Sequence, residues 1–257
     1  IKLIFLPLQI FLLKCFYNKK KEVVFHAHGM YYIWLAAAAN VPFIGTPQGS
    51  EILLRPFRSK IYLFFSLKAL KKALFITVDS VKMKEKCYEI SSVNPEIIQN
   101  GIDLKSIDIF LKNKNKTVIN KNKIVSQRGM TSLYRIEDII TSRDQVKGYF
   151  PISFIYPFYE NNYRHKVLKK IRRGDEDLGR VSRVKMYELF SQSKLVLSIP
   201  SSDSSPRSVY EAIFCGAIVG ITYHPYFDLL PKDMKNRIFL IDLEDEDWFI
   251  KAINYSE

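Results

Sequence analysis

LVLSIPSSDSSPRSVYEAIFCGAIVGIT, residues 195–222, sets an apolar run, a loop of small polar residues, a proline-led helix and a second apolar run in succession. Leu195–Ile199 has the continuous apolar character of a strand buried on both faces, and Pro200 stops it. Pro206 suits a first helical turn and Ser205 is the expected cap, with the helix running to Cys215. Ile218–Thr222 is then the next strand. Two strands joined by a helical crossover are parallel. The first amides of the helix, at Arg207 and Ser208, have no partner inside it, and they sit at the positive end of its dipole, where an anion binds well. The loop is expected at the carboxyl edge of a parallel sheet, the usual ligand position in open α/β folds. Glu211 lies between one and two turns further in and can accept two hydrogen bonds from a vicinal diol. Asp203, on the loop, is placed to meet ligand hydroxyls. On spacing alone, the stretch reads more readily as a capped helix packed on a sheet, with Glu211 merely exposed.

The same alternation extends outward in both directions. Before the polar run Lys112–Lys123, strands are expected at Glu22–Gly29, Val41–Thr46, Leu74–Val78 and Glu96–Gln99. Helices are expected at Ile1–Tyr17, Met30–Asn40, Ser59–Ala73 and, capped by Ser80, through Tyr88. After that run, strands are expected at Ile124–Ser126 and Ile152–Ile155, and helices at Ser132–Ser142, Asn161–Arg173, Ser182–Ser193 and Asp247–Tyr255. The fold class is α/β: two Rossmann-like lobes, 1–115 and 116–257, joined by the Lys- and Asn-rich linker, with a cleft between them.

The 257 residues are 47% hydrophobic and 25% charged, which excludes a disordered chain, and the net charge of +13 points to anionic partners. Cys15, Cys87 and Cys215 form no CxxC pair, which argues against a zinc site or a disulfide framework and suits a reducing, cytoplasmic compartment. The apolar run at the start is interrupted by Pro7, Gln9 and Lys14 and is shorter than the roughly 20 residues of a spanning helix. It reads as a helix buried or lying on a surface. His26 and His28 share one face of a strand, but two histidines are too few for a metal site, and no structural metal is expected. The aromatic residues follow the core pattern rather than alternating with Lys and Arg, so nucleic acid is not an expected partner.

Asp203-Ser-Ser-Pro-Arg-Ser-Val-Tyr-Glu211, followed by Ala212 and Gly216, resembles the E-x7-E segment of the retaining GT-B glycosyltransferases of family 4, in the branch with Asp in the first place. Ser204 replaces that branch's Gly. Phe25-His26-Ala27-His28-Gly29 is similar to the family's strand-end His segment. Pro47-Gln48-Gly49-Ser50-Glu51 is similar to its H-G-x-D/E turn, with Gln48 for His. Asn100-Gly101-Ile102-Asp103 matches the N-G-I-D that closes the first lobe. Val125-Ser126-Gln127-Arg128 matches the segment whose Arg grips the donor diphosphate, and Tyr134 falls where the family carries a Lys, with Arg135 beside it. The family's opening β-loop-α unit has no counterpart before Ile1.

The resemblance implies transfer of a sugar from a nucleoside diphosphate donor with retained configuration, and no cofactor beyond that donor. It implies that Arg128, Arg135, Ser205, Pro206, Arg207 and Ser208 hold the diphosphate, Glu211 the ribose and Asp203 the donor sugar. Asp203, Arg128 and His28 would be catalytic, and His28, Gln48, Gly49 and Glu51 would face a glycan or lipid-linked acceptor of surface polysaccharide assembly. The basic helix Ser59–Ala73 and the apolar helix Ile1–Tyr17 suggest an anionic membrane surface at the inner face of the cell membrane. A nucleotide-sugar epimerase and an inactive sugar-nucleotide binder are the alternatives. An epimerase needs carboxylates in the first lobe, where Glu51 is the candidate.

Overall fold

The computed structural model describes residues 5–113 and 121–257. The chain divides into two compact α/β units, Ile1–Asn100 and Gly101–Glu257. The division precedes the expected 115/116 boundary because the helix Leu104–Asn113, absent from the sequence expectation, buries Ile107 in the second unit's core. Of the expected linker, Lys112 and Asn113 are helical, Lys123 opens a strand, and 114–120 lie outside the described residues.

The first unit is a parallel sheet in the order β1 (Phe25–His28), β2 (Phe43–Thr46), β3 (Phe75–Val78), β4 (Glu96–Ile97). The helices Met30–Ala39, Lys60–Leu70 and Val81–Ser91 contribute Ile33, Leu70 and Met83 to a core built on Ala27, Phe43 and Ile76. Gly45 permits this packing: a β-carbon there would lie 2.8 Å from Ile76 Cδ1 and 3.2 Å from Ile33 Cδ1. Ser59 and Ser80 cap their helices by accepting hydrogen bonds from the amides of Tyr62 and Met83. The first helix spans Leu6–Lys19 and buries none of its residues completely, with Ile10, Leu13 and Tyr17 leaning on the core. The expected start of that helix at Ile1–Ile4 falls outside the described residues.

The second unit is a six-stranded parallel sheet of β5 (Lys123–Gln127), β6 (Ile152–Ile155), β7 (Glu176–Gly179), β8 (Ser193–Ser198), β9 (Ile218–Thr222) and β10 (Ile238–Ile241), ordered β10-β9-β8-β5-β6-β7. The chain starts in the middle, winds to one edge, then returns to wind to the other, which places a switch point between β5 and β8. Alternate residues of β8 point to opposite faces: Leu195 and Leu197 pack with Trp248 and Phe249, and Val196 packs with Phe190 and Val209. Both faces are therefore covered, which is why β8 reads as an unbroken apolar run.

Three local expectations are corrected. Ser132–Ser142 is not one helix: Arg135 is left-handed (φ 50°) and separates a 3-10 turn, Ser132–Tyr134, from the helix Ile136–Gln145. The helix from Asn161 ends at Leu168, because the buried carboxylate of Asp175 takes the Arg172 and Ile152 amides and the Arg143 guanidinium, and so fixes a turn. Ser205 does not cap the helix of the opening stretch. Pro206 is extended (φ −80°, ψ 97°) and stands at the cap position, so the helix is Arg207–Phe214.

Candidate active site

Arg128 follows β5 and Asp203 follows β8, the two strands flanking the switch point. Their side chains meet there, with Nη2 of Arg128 3.1 Å from Oδ2 of Asp203 and both groups largely withdrawn from solvent. The backbone holds each in place. The Arg128 amide donates to the Ile155 carbonyl of β6, and the Ser201 amide on the Asp203 loop donates to the Leu133 carbonyl. Asp203 Oδ1 accepts the Ser204 amide at 2.9 Å. Burial pushes the Asp203 carboxyl above its ordinary value, against the opposing pull of Arg128. The Tyr134 ring supports the other side of the guanidinium, whose Cζ is 4.8 Å from the ring centroid.

The N-terminus of the helix Arg207–Phe214 opens beside this pair. Because Pro206 has no N–H, the first free amides are those of Arg207 and Ser208, as the sequence suggested even though the cap moved by one residue. Arg207 is exposed and donates from Nε to the Gly101 carbonyl at 3.0 Å. Ser205 and Pro206 are buried, and Ser208 is partly exposed.

Ser208 also lines a cavity of about 330 Å³ at the carboxyl ends of β5, β6 and β7. Its walls are Arg128 and Gly129 after β5, Tyr156 and Phe158 after β6, and Arg180 and Val181 after β7. Gly129 is required for its shape, since a β-carbon there would come within 2.3 Å of the Phe158 ring and 2.8 Å of the Tyr134 ring. The cavity thus has flat aromatic and apolar walls, with a guanidinium and a helix N-terminus at one side. A planar ring attached to a phosphate chain fits that combination.

Glu211 is on the buried face of its helix rather than on the open side. Tyr187 donates to it at 3.5 Å. Burial raises its carboxyl above the ordinary value, and Arg183 and Arg207 act against that rise. Asp103, in the N-G-I-D segment, faces Arg183 at 4.0 Å and caps its own helix through the Ser106 amide. Glu211, Arg183 and Asp103 therefore form one charged group around the start of the opening stretch's helix.

In the first unit, the ends of β1 and β2 bring His28, Gly29, Gln48, Gly49 and Glu51 together. Glu51 Oε2 accepts the Met30 amide at 2.8 Å and the Gln48 amide at 3.0 Å, which ties the two strand ends. Its carboxylate is thus engaged by backbone. His28 is exposed and stacks on His26, ring centroids 6.0 Å apart, while His26 Nε2 pairs with Thr46 Oγ1 at 2.8 Å. Among the described residues, no group of three His, Cys, Asp or Glu side chains could hold a metal ion.

Arg135 is partly buried at the break before its helix and does not line the cavity. The cavity walls beyond Arg128 and Ser208 were not foreseen from the sequence. Gly129 next to a strand-end Arg was a legible signal. Arg180 was hidden because β7 carries Glu176 and Asp177, which suit a charged sheet edge and not a core strand. His224, two residues after β9, was also missed. It pairs with the Pro200 carbonyl at 3.0 Å and holds the root of the Asp203 loop.

No protein-family model matches the chain, and no curated protein matches its sequence. Solved structures do match. Anabaena HepE in complex with UDP superposes with a TM-score of 0.73 at 15% identity, over 95% of this chain and 71% of that one. A glycosyltransferase from Rickettsia africae superposes with a TM-score of 0.73 at 15% identity, over 98% and 70%. The UDP-forming α,α-trehalose-phosphate synthase of Burkholderia vietnamiensis gives 0.69 at 10%, over 98% and 70%. At these identities the likeness is one of architecture: the chain has the two-lobed, Rossmann-like GT-B fold of those structures.

Proposed function

We propose that this chain is a glycosyltransferase that moves a sugar from a nucleoside diphosphate donor to a hydroxyl of a glycan or lipid-linked acceptor, with retained configuration. The observation that carries the reading is the Arg128–Asp203 pair at the switch point, beside both a helix N-terminus and the aromatic-walled cavity. Structures of the same fold that hold UDP and UDP-glucose support the donor class. The base occupies the cavity, the diphosphate lies against Arg128 and the Arg207 and Ser208 amides, and Glu211 takes the ribose hydroxyls. In the reaction the bond from C1 to the diphosphate oxygen breaks and a bond from C1 to the acceptor oxygen forms. The acceptor's proton passes to the departing phosphate. Arg128 and the helix amides stabilise the charge that grows on that phosphate, as preorganised donors do. Asp203 orients the donor sugar. His28, Gln48 and Gly49 serve the acceptor.

The carboxylate of Glu51 is already held by two amides, which weighs against its use as an epimerase acid or base. The test is incubation with labelled nucleoside diphosphate sugars, followed by separation of free sugar, epimer and transferred product. Transfer to an acceptor, with release of nucleoside diphosphate, is expected. Formation of the epimer alone, or tight donor binding without turnover in the presence of acceptors, would replace this reading by one of the alternatives.

A further inference from the structure

The helix Lys60–Leu70 has two apolar faces. Ala69 and Leu70 are buried and Leu63 leans on the first unit's core. On the opposite side Ile61, Phe64 and Phe65 are 72%, 52% and 55% exposed, and Phe57, just before the helix, is 56% exposed. Positions 61, 64, 65 and 68 recur at helical spacing on one side, and Phe57 lies in the short helix Arg55–Arg58 that precedes it. A helix on the outside of a globular unit normally turns polar residues to water, so this face departs from the rule. The sequence leaves two readings of this helix, one resting on an anionic membrane and one with Leu63, Phe64, Leu67 and Leu70 packed on the sheet and the lysines solvated on the far face. The structure places three apolar side chains among the lysines.

The charge around this face is mostly positive, with Glu51 beside Arg55 and Glu89 bonded to Lys86 as its acidic neighbours. From Ile52 to Val78 the chain carries Arg55, Arg58, Lys60, Lys68, Lys71 and Lys72 and no acidic residue. Lys68 Nζ stands 4.3 Å over the Phe64 ring, and Lys86 Nζ 5.0 Å over that of Phe57. The helix Leu6–Lys19 packs, like Lys60–Leu70, on the helix Met30–Ala39, and it exposes Leu8, Phe11, Leu12 and Phe16 with Lys19, Lys20 and Lys21 at its end. Among the described residues, no helix is long and apolar enough to cross a membrane.

We infer that this face of the first unit docks on an anionic lipid bilayer, with Phe57, Ile61, Phe64 and Phe65 entering the headgroup–acyl boundary and the surrounding Arg and Lys pairing with lipid phosphates. Aromatic and aliphatic side chains ringed by cations are what an interfacial helix needs. A symmetric contact with a second copy would set Lys60 and Lys68 against their own copies. The inference stands apart from the transfer reaction and needs no donor or acceptor.

The experiment is flotation of the whole protein with phosphatidylcholine vesicles, with and without phosphatidylglycerol. Co-flotation is expected only with the anionic vesicles and should fall steeply with salt. Phe64→Ser with Phe65→Ser should lower the vesicle-bound fraction roughly tenfold, since interfacial binding scales with inserted apolar area. Lys60→Gln and Lys68→Gln should each lower the partition roughly fivefold. These side chains are exposed, so the thermal melt should stay unchanged. Phe64→Trp should shift its emission to the blue on anionic vesicles and be quenched by brominated lipid. Absence of co-flotation at low salt would overturn the inference, as would vesicle binding indifferent to the Phe substitutions. A dimer abolished by Phe64→Ser, or single-stranded RNA binding without vesicle binding, would also overturn it.

Discussion

Arg128 Nη2 and Asp203 Oδ2 lie 3.1 Å apart, and through them the ends of β5 and β8 hold each other across the switch point of the second sheet. A guanidinium placed between a carboxylate and the Tyr134 ring is fixed before any anion arrives. It therefore needs little reordering to meet a diphosphate.

Arg128→Ala should weaken nucleoside diphosphate binding by about 1.5–3 kcal/mol, the cost of a lost charge-assisted hydrogen bond. Arg128→Lys should lose less affinity, since it keeps the charge, but turnover should still drop because the fork that spans Asp203 and the phosphate is gone. Calorimetry with UDP and other nucleoside diphosphates, beside rates on a turned-over donor, checks both. Equal affinity in all three proteins would remove Arg128 from the site.

Glu211→Gln should change stability and binding in opposite directions. Burial raises the Glu211 carboxyl, so the folded protein holds that proton more tightly than the unfolded chain does. The stability this proton contributes is fully present below the unfolded value and is lost as pH rises through the folded one. Gln carries no charge at any pH. The variant should thus melt close to wild type in acid and above it at neutral pH, while binding the ribose-bearing ligand more weakly. Melting curves from pH 4 to pH 8 read the first effect and calorimetry the second. A variant less stable at neutral pH than in acid, relative to wild type, would contradict the charge assignment.

Gly129→Ala tests the cavity. The added carbon would meet the rings of Phe158, which is 52% exposed, and Tyr134, both of which must shift, and the fold should survive because the displaced atoms are side-chain ring edges and not backbone. Displacing the Phe158 ring removes one wall, and nucleotide affinity should fall roughly tenfold, within the range of a lost base–aromatic contact. Unchanged affinity would mean that the base binds elsewhere.

Asp175→Ala should be the most damaging of these changes to stability. The Asp175 side chain is fully buried and receives Arg143 Nη1 at 2.8 Å together with two backbone amides. Its removal leaves the buried Arg143 guanidinium with only the partly exposed Asp144 as an anion and strands two backbone amides, which costs about 3 kcal/mol. The denaturant midpoint should fall accordingly, and nucleotide affinity measured well below that midpoint should not change.

Much of the second unit was legible because its central strands are buried on both faces. Ile152–Ile155 and Ile218–Thr222 carry apolar runs interrupted only by small residues, Ser153 and Gly220, before Thr222 closes the second. The opening stretch announced its own helix through Pro206, and the error of one residue at its cap arose from a proline that is extended rather than helical. Elements at the margins were harder to see. Glu176–Gly179 is a strand by virtue of its neighbour β6, not of its own residues, and Arg135 breaks a helix in a conformation that no local pattern requires. Of the candidate site, strand-end positions were readable and distances were not. Nothing in the spacing of Arg128 and Asp203 says that they touch, and nothing in that of Glu51 says that its carboxylate is spent on the amides of Met30 and Gln48.

The strand order has a kinetic consequence. β5 pairs with β8 in a register that joins Ile124 to Leu195, residues about 70 positions apart, whereas β5 with β6 and β8 with β9 close far shorter loops. Such a distant pairing is entropically slow to form, so the two halves of the second sheet can each gain helix and strand before they join. Arg128 stands on one half and Asp203 on the other. During refolding, nucleotide binding should accordingly return after the far-ultraviolet signal, which makes ligand affinity, and not helical content, the proper gauge of whether a preparation has finished folding.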